Sequence, residues 1–215
     1  MKGLLLKDWY QVRTSMKAMC LTVAFVLVIW VFSTSNAYVF PVSYAAVFLG
    51  ILPINLLAYD HASGWTEYSF ALPLSKELQV AEKYLVGLLC TAVSAALNGI
   101  FCGILFWMGK PLPAMPIGLL LGAGAASILL INGIMLPLYY RFGAEKARML
   151  YMLMFAGMGA ALGGGAVMDE LQQNGTGSGP LPVPLWLAAV LLLAVLALYA
   201  VSWRLSVQWY GKYKK

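Results

Sequence analysis

Six stretches of apolar sequence, each long enough to cross a bilayer as a helix, leave this chain few folds to choose from. A hydrocarbon core about 30 Å thick takes about 20 helical residues to span. Such stretches run from Ala18 to Ser35, Tyr38 to Tyr59, Tyr84 to Met108, Ala114 to Leu138, Met149 to Met168 and Pro184 to Trp203. Each must be helical, because in hydrocarbon an unpaired backbone group has no water to bond with. A transmembrane barrel needs alternating segments of about ten residues, and the sequence has none. Only 10% of residues are charged and 62% are apolar, against roughly 25% charged in a soluble chain. So few charges cannot coat a surface in water. The expected fold is all-α: a polytopic membrane protein with six transmembrane helices in one transmembrane domain over residues 1–215.

The charges fall between the apolar stretches and sort by side. Lys2, Lys7, Arg13 and Lys17 precede the first span (segment 1–17) and Lys76 and Lys83 lie in segment 60–83. Arg141, Lys146 and Arg148 occupy segment 139–148, and Arg204, Lys212, Lys214 and Lys215 the tail 204–215. These segments alternate with spans 1–2 (18–59), spans 3–4 (84–138) and spans 5–6 (149–203). The opposite side holds only Lys110, with Asp169 and Glu170. The positive-inside rule makes the first side cytoplasmic, with both termini inside. The net charge of +6 is thus topology, and no nucleic-acid partner is expected. The first apolar run lacks a small-residue cleavage site and reads as a retained span.

The inner segments carry the local signals. Residues from His61 onward suit a short helix at the membrane surface, with Trp65 and Tyr68 three apart on one face, and Pro73 interrupts it. Ser75 suits an N-cap, with Glu77 in the favourable first turn. The helix it opens, Lys76 to Lys83, feeds into the third span. Residues 1–17 suit an amphipathic N-terminal helix with Leu4, Leu5, Trp9 and Val12 on one face.

Within the spans, glycines recur at spacing four: Gly99 and Gly103, Gly118 and Gly122, Gly159 and Gly163. That spacing lets helix backbones approach closely. It fits contacts between protomers and packing within one bundle equally. Pro41, Pro53 and Pro137 favour kinks. Asn55, Asn98 and Asn132 are expected to bond across helices. Cys20, Cys90 and Cys102 read as small apolar residues, since no CxxC pair exists.

Catalytic machinery is not expected on this chain. His61 is the single histidine, and a metal site takes three or four ligands. No acidic residue lies well inside a span, and there is no GxxxxGK[ST] phosphate loop. No catalytic, metal or cofactor site is therefore assigned.

Three stretches resemble a known family. They are Gly3 to Asp8; Tyr59-Asp60, Ser63 to Tyr68, Ala71 to Ser75 and Glu82 to Leu85; and Leu136 to Arg148 with its Tyr140 to Gly143 and Lys146 to Arg148. They are similar to the inner segments of small bacterial ABC transporter permeases of the exporter class. Within these, the likeness is greatest to the compact permeases that export amphipathic peptides such as phenol-soluble modulins. The resemblance implies a cell (inner) membrane permease, with a second permease subunit in a homodimer and two copies of a separate ABC ATPase. ATP and Mg would sit on that ATPase. The substrate implied is an amphipathic peptide, reached through membrane lipid. The resemblance also implies a coupling helix through which Asp60, Ser63, Gly64, Trp65, Glu67 and Tyr68 contact the ATPase, and it makes segment 1–17 the connecting helix. The competing function is a non-transporting membrane sensor or immunity protein, which would bind no ATPase.

Overall fold

The computed structural model describes residues 2–15, 17–32, 39–71, 75–110, 117–143, 146–147, 149–150, 152–153 and 185–210. Among these no strand occurs. The principal helices are α1 (Lys2–Ser15), α2 (Lys17–Phe32), α3 (Val39–Ala62), α4 (Trp65–Ala71), α5 (Lys76–Trp107), α6 (Ile117–Phe142) and α7 (Leu185–Tyr210).

Four helices are long and apolar enough to cross a membrane: α5, α6, Val42–Ala62 of α3 and Val190–Tyr210 of α7. α1 and α2 meet at a 65° bend, and that pair taken as one span makes five. The chain is thus a multi-pass membrane protein with four to five spans among the described residues, where six were expected. α2 alone has 16 residues, about 24 Å of helix, which is short of a full crossing. Most of the expected span Met149–Met168, with Gly159 and Gly163, lies outside the described residues.

Local chemistry sets the helix ends. Ser75, extended at φ −67° and ψ 144°, accepts a hydrogen bond from the Leu78 backbone N–H. From that cap α5 runs unbroken for 32 residues, about 48 Å. It outreaches a hydrocarbon core by about 18 Å, so its charged opening turns have length to stand clear. α3 runs on past Tyr59 to Ala62. His61 therefore falls in the last turn of α3 instead of opening the surface helix as expected, and Asp60 precedes it there. The stop comes at Gly64, whose φ of 72° is a backbone state that costs glycine little. α6 likewise extends past Leu138 to Phe142, and α7 past Trp203 to Tyr210. Pro41 sits in the first turn of α3, where a missing N–H is tolerated, and α3 and α6 continue through Pro53 and Pro137.

α3, α5, α6 and α7 pack together, with α6 against both α3 and α7 and with α2 along α3. One core joins Leu57, Val80, Leu136, Val195 and several tyrosines at the α1 end of the bundle. Another joins Val23, Leu27, Ala45, Phe101, Leu105 and Leu120 at the other end. Outside the bundle the surface is apolar: Leu21, Phe25, Phe106 and Leu193 are all largely exposed, and Trp107 is 87% exposed. Such a surface needs hydrocarbon as its solvent.

The buried asparagines depart from expectation. Asn132 donates to the Ile128 carbonyl one turn back, and Asn98 to Ser94 on its own helix. Among the described residues only Asn55 bonds across helices, weakly, to Met19 Sδ at 3.8 Å. The glycines at close approaches are also different ones. An added Cβ at Gly99, Gly103, Gly118 or Gly122 would meet nothing within 4 Å among the described residues. At Gly87 it would lie 2.5 Å from Tyr199 Oη, which donates to the Tyr84 carbonyl at 2.7 Å.

Gly87→Ala is therefore expected to destabilise the bundle by about 1–3 kcal/mol. Tyr199→Phe, which deletes the clashing oxygen, should recover most of that loss. Thermal melts of the four variants in detergent measure both; a Gly87→Ala protein melting with the parent contradicts the packing of α7 on α5.

Candidate functional site

α1 carries Leu4, Asp8 and Val12 on one face, spaced four apart so that they stack in line. Leu4 and Asp8 are buried, while Leu5 and Val12 pack against a core of α3 and α5 residues. An aspartate thus rides in the middle of an apolar stripe. Trp9, expected on that face, is instead 63% exposed.

Asp8 meets the opening of α5. Lys83 Nζ donates to Asp8 Oδ1 and Oδ2 at 2.8 and 2.9 Å. The same ammonium lies 2.7 Å from Asp60 Oδ2 at the end of α3. Lys7 Nζ bridges from α1 to both oxygens of Asp60 at 2.7 Å and lies 3.1 Å from Asp8 Oδ1. Asp8, Asp60 and Lys83 are all buried, and Lys7 partly so. The middle of α1, the end of α3 and the opening turns of α5 are therefore pinned at one point by two ammonium groups and two carboxylates. Buried charges of this kind hold only when paired and fully bonded. Glu82, also buried, is the fifth charge, with Oε1 3.8 Å from Lys83 Nζ.

α4 lies against this point. Lys7 Nζ sits 4.7 Å above the Trp65 ring, a cation–π contact. Ser69, buried on α4, shares a hydrogen bond with Gln79 Oε1, and Gln79 Nε2 donates to the Ser69 carbonyl at 3.3 Å. Tyr210 of α7 donates to the same Gln79 oxygen. Further along α5, the Tyr84 hydroxyl lies 2.6 Å from Ser202 Oγ and 2.7 Å from Ser206 Oγ of α7. Tyr139 of α6 donates to the Leu57 carbonyl of α3 at 3.0 Å. The first turns of α5 are thus the hub to which α1, α3, α4 and α7 are all bonded. Between α4 and the ends of α6 and α7 lies a cleft of about 60 Å3, bordered by Trp65, Glu82, Tyr140, Gly143 and Tyr210.

The structure separates the expected site residues into two groups. Trp65 and Tyr68 do share a face, their ring centroids 5.5 Å apart, with Tyr68 58% exposed. Ser63, Gly64 and Glu67 are exposed beside them. Asp60 is not on that surface: it is buried in the ion cluster. From the sequence, Lys7 and Lys83 counted only as charges that mark the inner side, and Asp8 and Glu82 only as parts of the resembling stretches; none was placed in a site. The signals were Asp8 in the 4–8–12 apolar stripe and two adjacent charges, Glu82 and Lys83, at the mouth of an apolar span. No group of three His, Cys, Asp or Glu is placed to hold a metal among the described residues. The arrangement ties α4 to α1 and α5, and through them to α3.

A family model described as ABC-2 family transporter protein matches residues 3–211. No curated protein and no solved structure matches the chain.

Lys83→Met removes the shared ammonium and leaves two buried carboxylates facing each other. It is expected to cost about 3–5 kcal/mol. Asp8→Asn added to Lys83→Met should restore part of that loss. Chemical unfolding in detergent measures both, and a Lys83→Met protein as stable as the parent contradicts the pinning role of the cluster.

Proposed function

The chain belongs to the ABC-2 transporter family, and from that premise we propose that it is the permease of an ATP-driven exporter that moves amphipathic peptides out of a bacterial cell. Membership makes it the membrane permease subunit of an ABC transporter, a transport component and not itself a catalyst, and implies an ABC ATPase as partner. The exporter direction and the peptide substrate rest on the likeness of the inner segments to permeases that export amphipathic peptides. The proposed setting is the inner membrane, with both termini and α4 on the cytoplasmic side by the distribution of basic residues.

The observation that carries the coupling role is the bonding of α4 to the buried charge cluster. α4 presents Tyr68 and Glu67 outward, where an ATPase could grip them. Inward, Trp65 and Ser69 attach it to Lys7 and Gln79. ATP, with Mg, binds between two ATPase copies and draws them together. Their displacement moves α4, and the cluster passes that motion to α1, α3 and α5 as one body. ATP can favour the outward state only by binding more tightly to it. A second copy of the permease completes the pathway. Gly99, Gly103, Gly118 and Gly122 have open space beside them among the described residues, which suits contact with that copy. An amphipathic peptide enters from the inner leaflet, so a soluble capture domain is unnecessary.

Isolation of the chain from its native membrane in mild detergent should bring down an ATPase in near-equal amount. Trp65→Ala with Tyr68→Ala should leave insertion intact and weaken ATPase binding by about tenfold or more. Unchanged affinity in that variant removes α4 from the interface. Repeated recovery of the parent chain without an ATPase favours the sensor or immunity function instead.

A further inference from the structure

The cluster is one hydrogen-bond donor short. An ammonium has three hydrogens to give. Those of Lys83 are taken by the two oxygens of Asp8 and by Asp60. Lys7 is likewise engaged by Asp60 and Asp8. Glu82 remains. Its side chain is only 4% exposed, and Oε1 is buried with no hydrogen-bond partner. Lys83 Nζ at 3.8 Å is too far to supply one. Two lysines face three carboxylates, so the group carries one uncompensated negative charge when all are ionised. A buried, unsatisfied carboxylate is among the most costly features a fold can hold.

Glu82 also borders the cleft beside α4. Its volume of about 60 Å3 is several times the roughly 10–15 Å3 that one water needs on the same measure. That accommodates an ammonium or guanidinium head. Tyr140 and Tyr210 border the cleft, and aromatic rings favour a cation. Thr66 and Trp65 of α4 line it, so whatever grips α4 lies beside the cleft.

We infer that this cleft receives a cationic side chain, arginine or lysine, from the ATPase subunit, which pairs with Glu82 and completes the charge cluster on docking. The inference rests on the permease reading above and deepens it. Tyr68 and Glu67 form the outer grip on α4, and the inserted cation is an inner bolt that joins the ATPase directly to the hub of α5. ATPase docking then supplies a donor to Glu82 Oε1, the one buried carboxylate oxygen of the cluster without a hydrogen-bond partner.

The test uses the permease in lipid nanodiscs with its co-purified ATPase. Glu82→Gln keeps the shape and removes the charge. It should weaken ATPase affinity by about tenfold or more. Among single Arg→Gln and Lys→Gln changes across the docking face of the ATPase, one should weaken binding to the parent permease equally. Combined with Glu82→Gln, that change should add little further loss, the mark of a direct pair. If Glu82→Gln melts below the parent, the ATPase series against the unaltered permease carries the test alone, and no single change of tenfold effect then overturns the inference. Parent-like affinity in a stable Glu82→Gln protein overturns it, and means that Glu82 is neutral in the assembled protein. A loss that adds independently to every ATPase change also overturns it. So does a loss confined to nanodiscs containing phosphatidylethanolamine, which would assign the cleft to a lipid amine. If Trp65→Ala weakens binding while Glu82→Gln does not, the coupling role of α4 stands without the bolt. If the parent binds no ATPase, both fall.

Discussion

An ammonium group held between two aspartates, away from water, is the interaction on which the rest of this structure depends. Lys83 is only 3% exposed at its side chain, and so is Asp8. Stripping water from such groups is costly, and the attraction between them offsets that only in good geometry. Lys83 reaches Asp8 on α1 and Asp60 on α3 from the second turn of α5. The geometry holds only if all three helices keep their register. A slip of one residue on any of them would leave a charge buried and unpaired. The cluster thus acts less as a source of stability than as a device that fixes where three helices meet.

Lipid and ions divide the work along the length of the bundle. Away from α1 and α4, exposed Phe106, Trp107 and Leu193 face outward, and lipid tails solvate them as well as a partner helix would. There the helices have little hydrophobic reason to associate, and small contacts and packing hold them. At the α1 end, the ion cluster and the Tyr84, Tyr139 and Tyr210 hydrogen bonds join α1, α3, α5, α6 and α7. One end of the bundle is therefore cross-linked by many polar bonds, whereas the other is held chiefly by packing, with Lys110 donating to the Val31 carbonyl. On the proposed mechanism, a push on α4 is carried by the cross-linked end and expressed as movement at the other. For a permease of an ABC transporter that asymmetry has an evident use.

Much of this was legible in the sequence. Hydrocarbon forces helix on every long apolar run, so the all-α membrane fold followed from run length. Ser75, with Glu77 in the first turn, announced the start of α5, and the structure places the cap there. The pairing of Trp65 with Tyr68 on one face followed from their spacing. The six-span count was not recovered among the described residues, where α2 is 16 residues long and the Met149–Met168 stretch is described only at its start. The ion cluster was illegible for a different reason. Lys7, Asp8, Asp60 and Lys83 are far apart in sequence, and charges flanking apolar spans ordinarily face water. Only the fold shows that α1 turns back over the ends of α3 and α5 and covers them. Asp60 was for that reason assigned to the outer surface when it belongs to the interior. Among the described residues Gly87, outside the four-residue spacings, makes a tight contact within the bundle, whereas Gly99, Gly103, Gly118 and Gly122 have open space beside them.

The central claim is that α1, α4 and the opening of α5 move as one body when the ATPase closes on ATP. Distances between paired spin labels test it most directly. One pair joins Tyr10 of α1 to Glu67 of α4, both exposed; the other joins Glu67 to Phe32 at the far end of α2, also exposed. In the assembled transporter, trapping with an ATP analogue should shift the second distance and leave the first unchanged in mean and width. A first distance that shifts as far as the second would show that α4 moves free of the charge cluster, and would contradict the account.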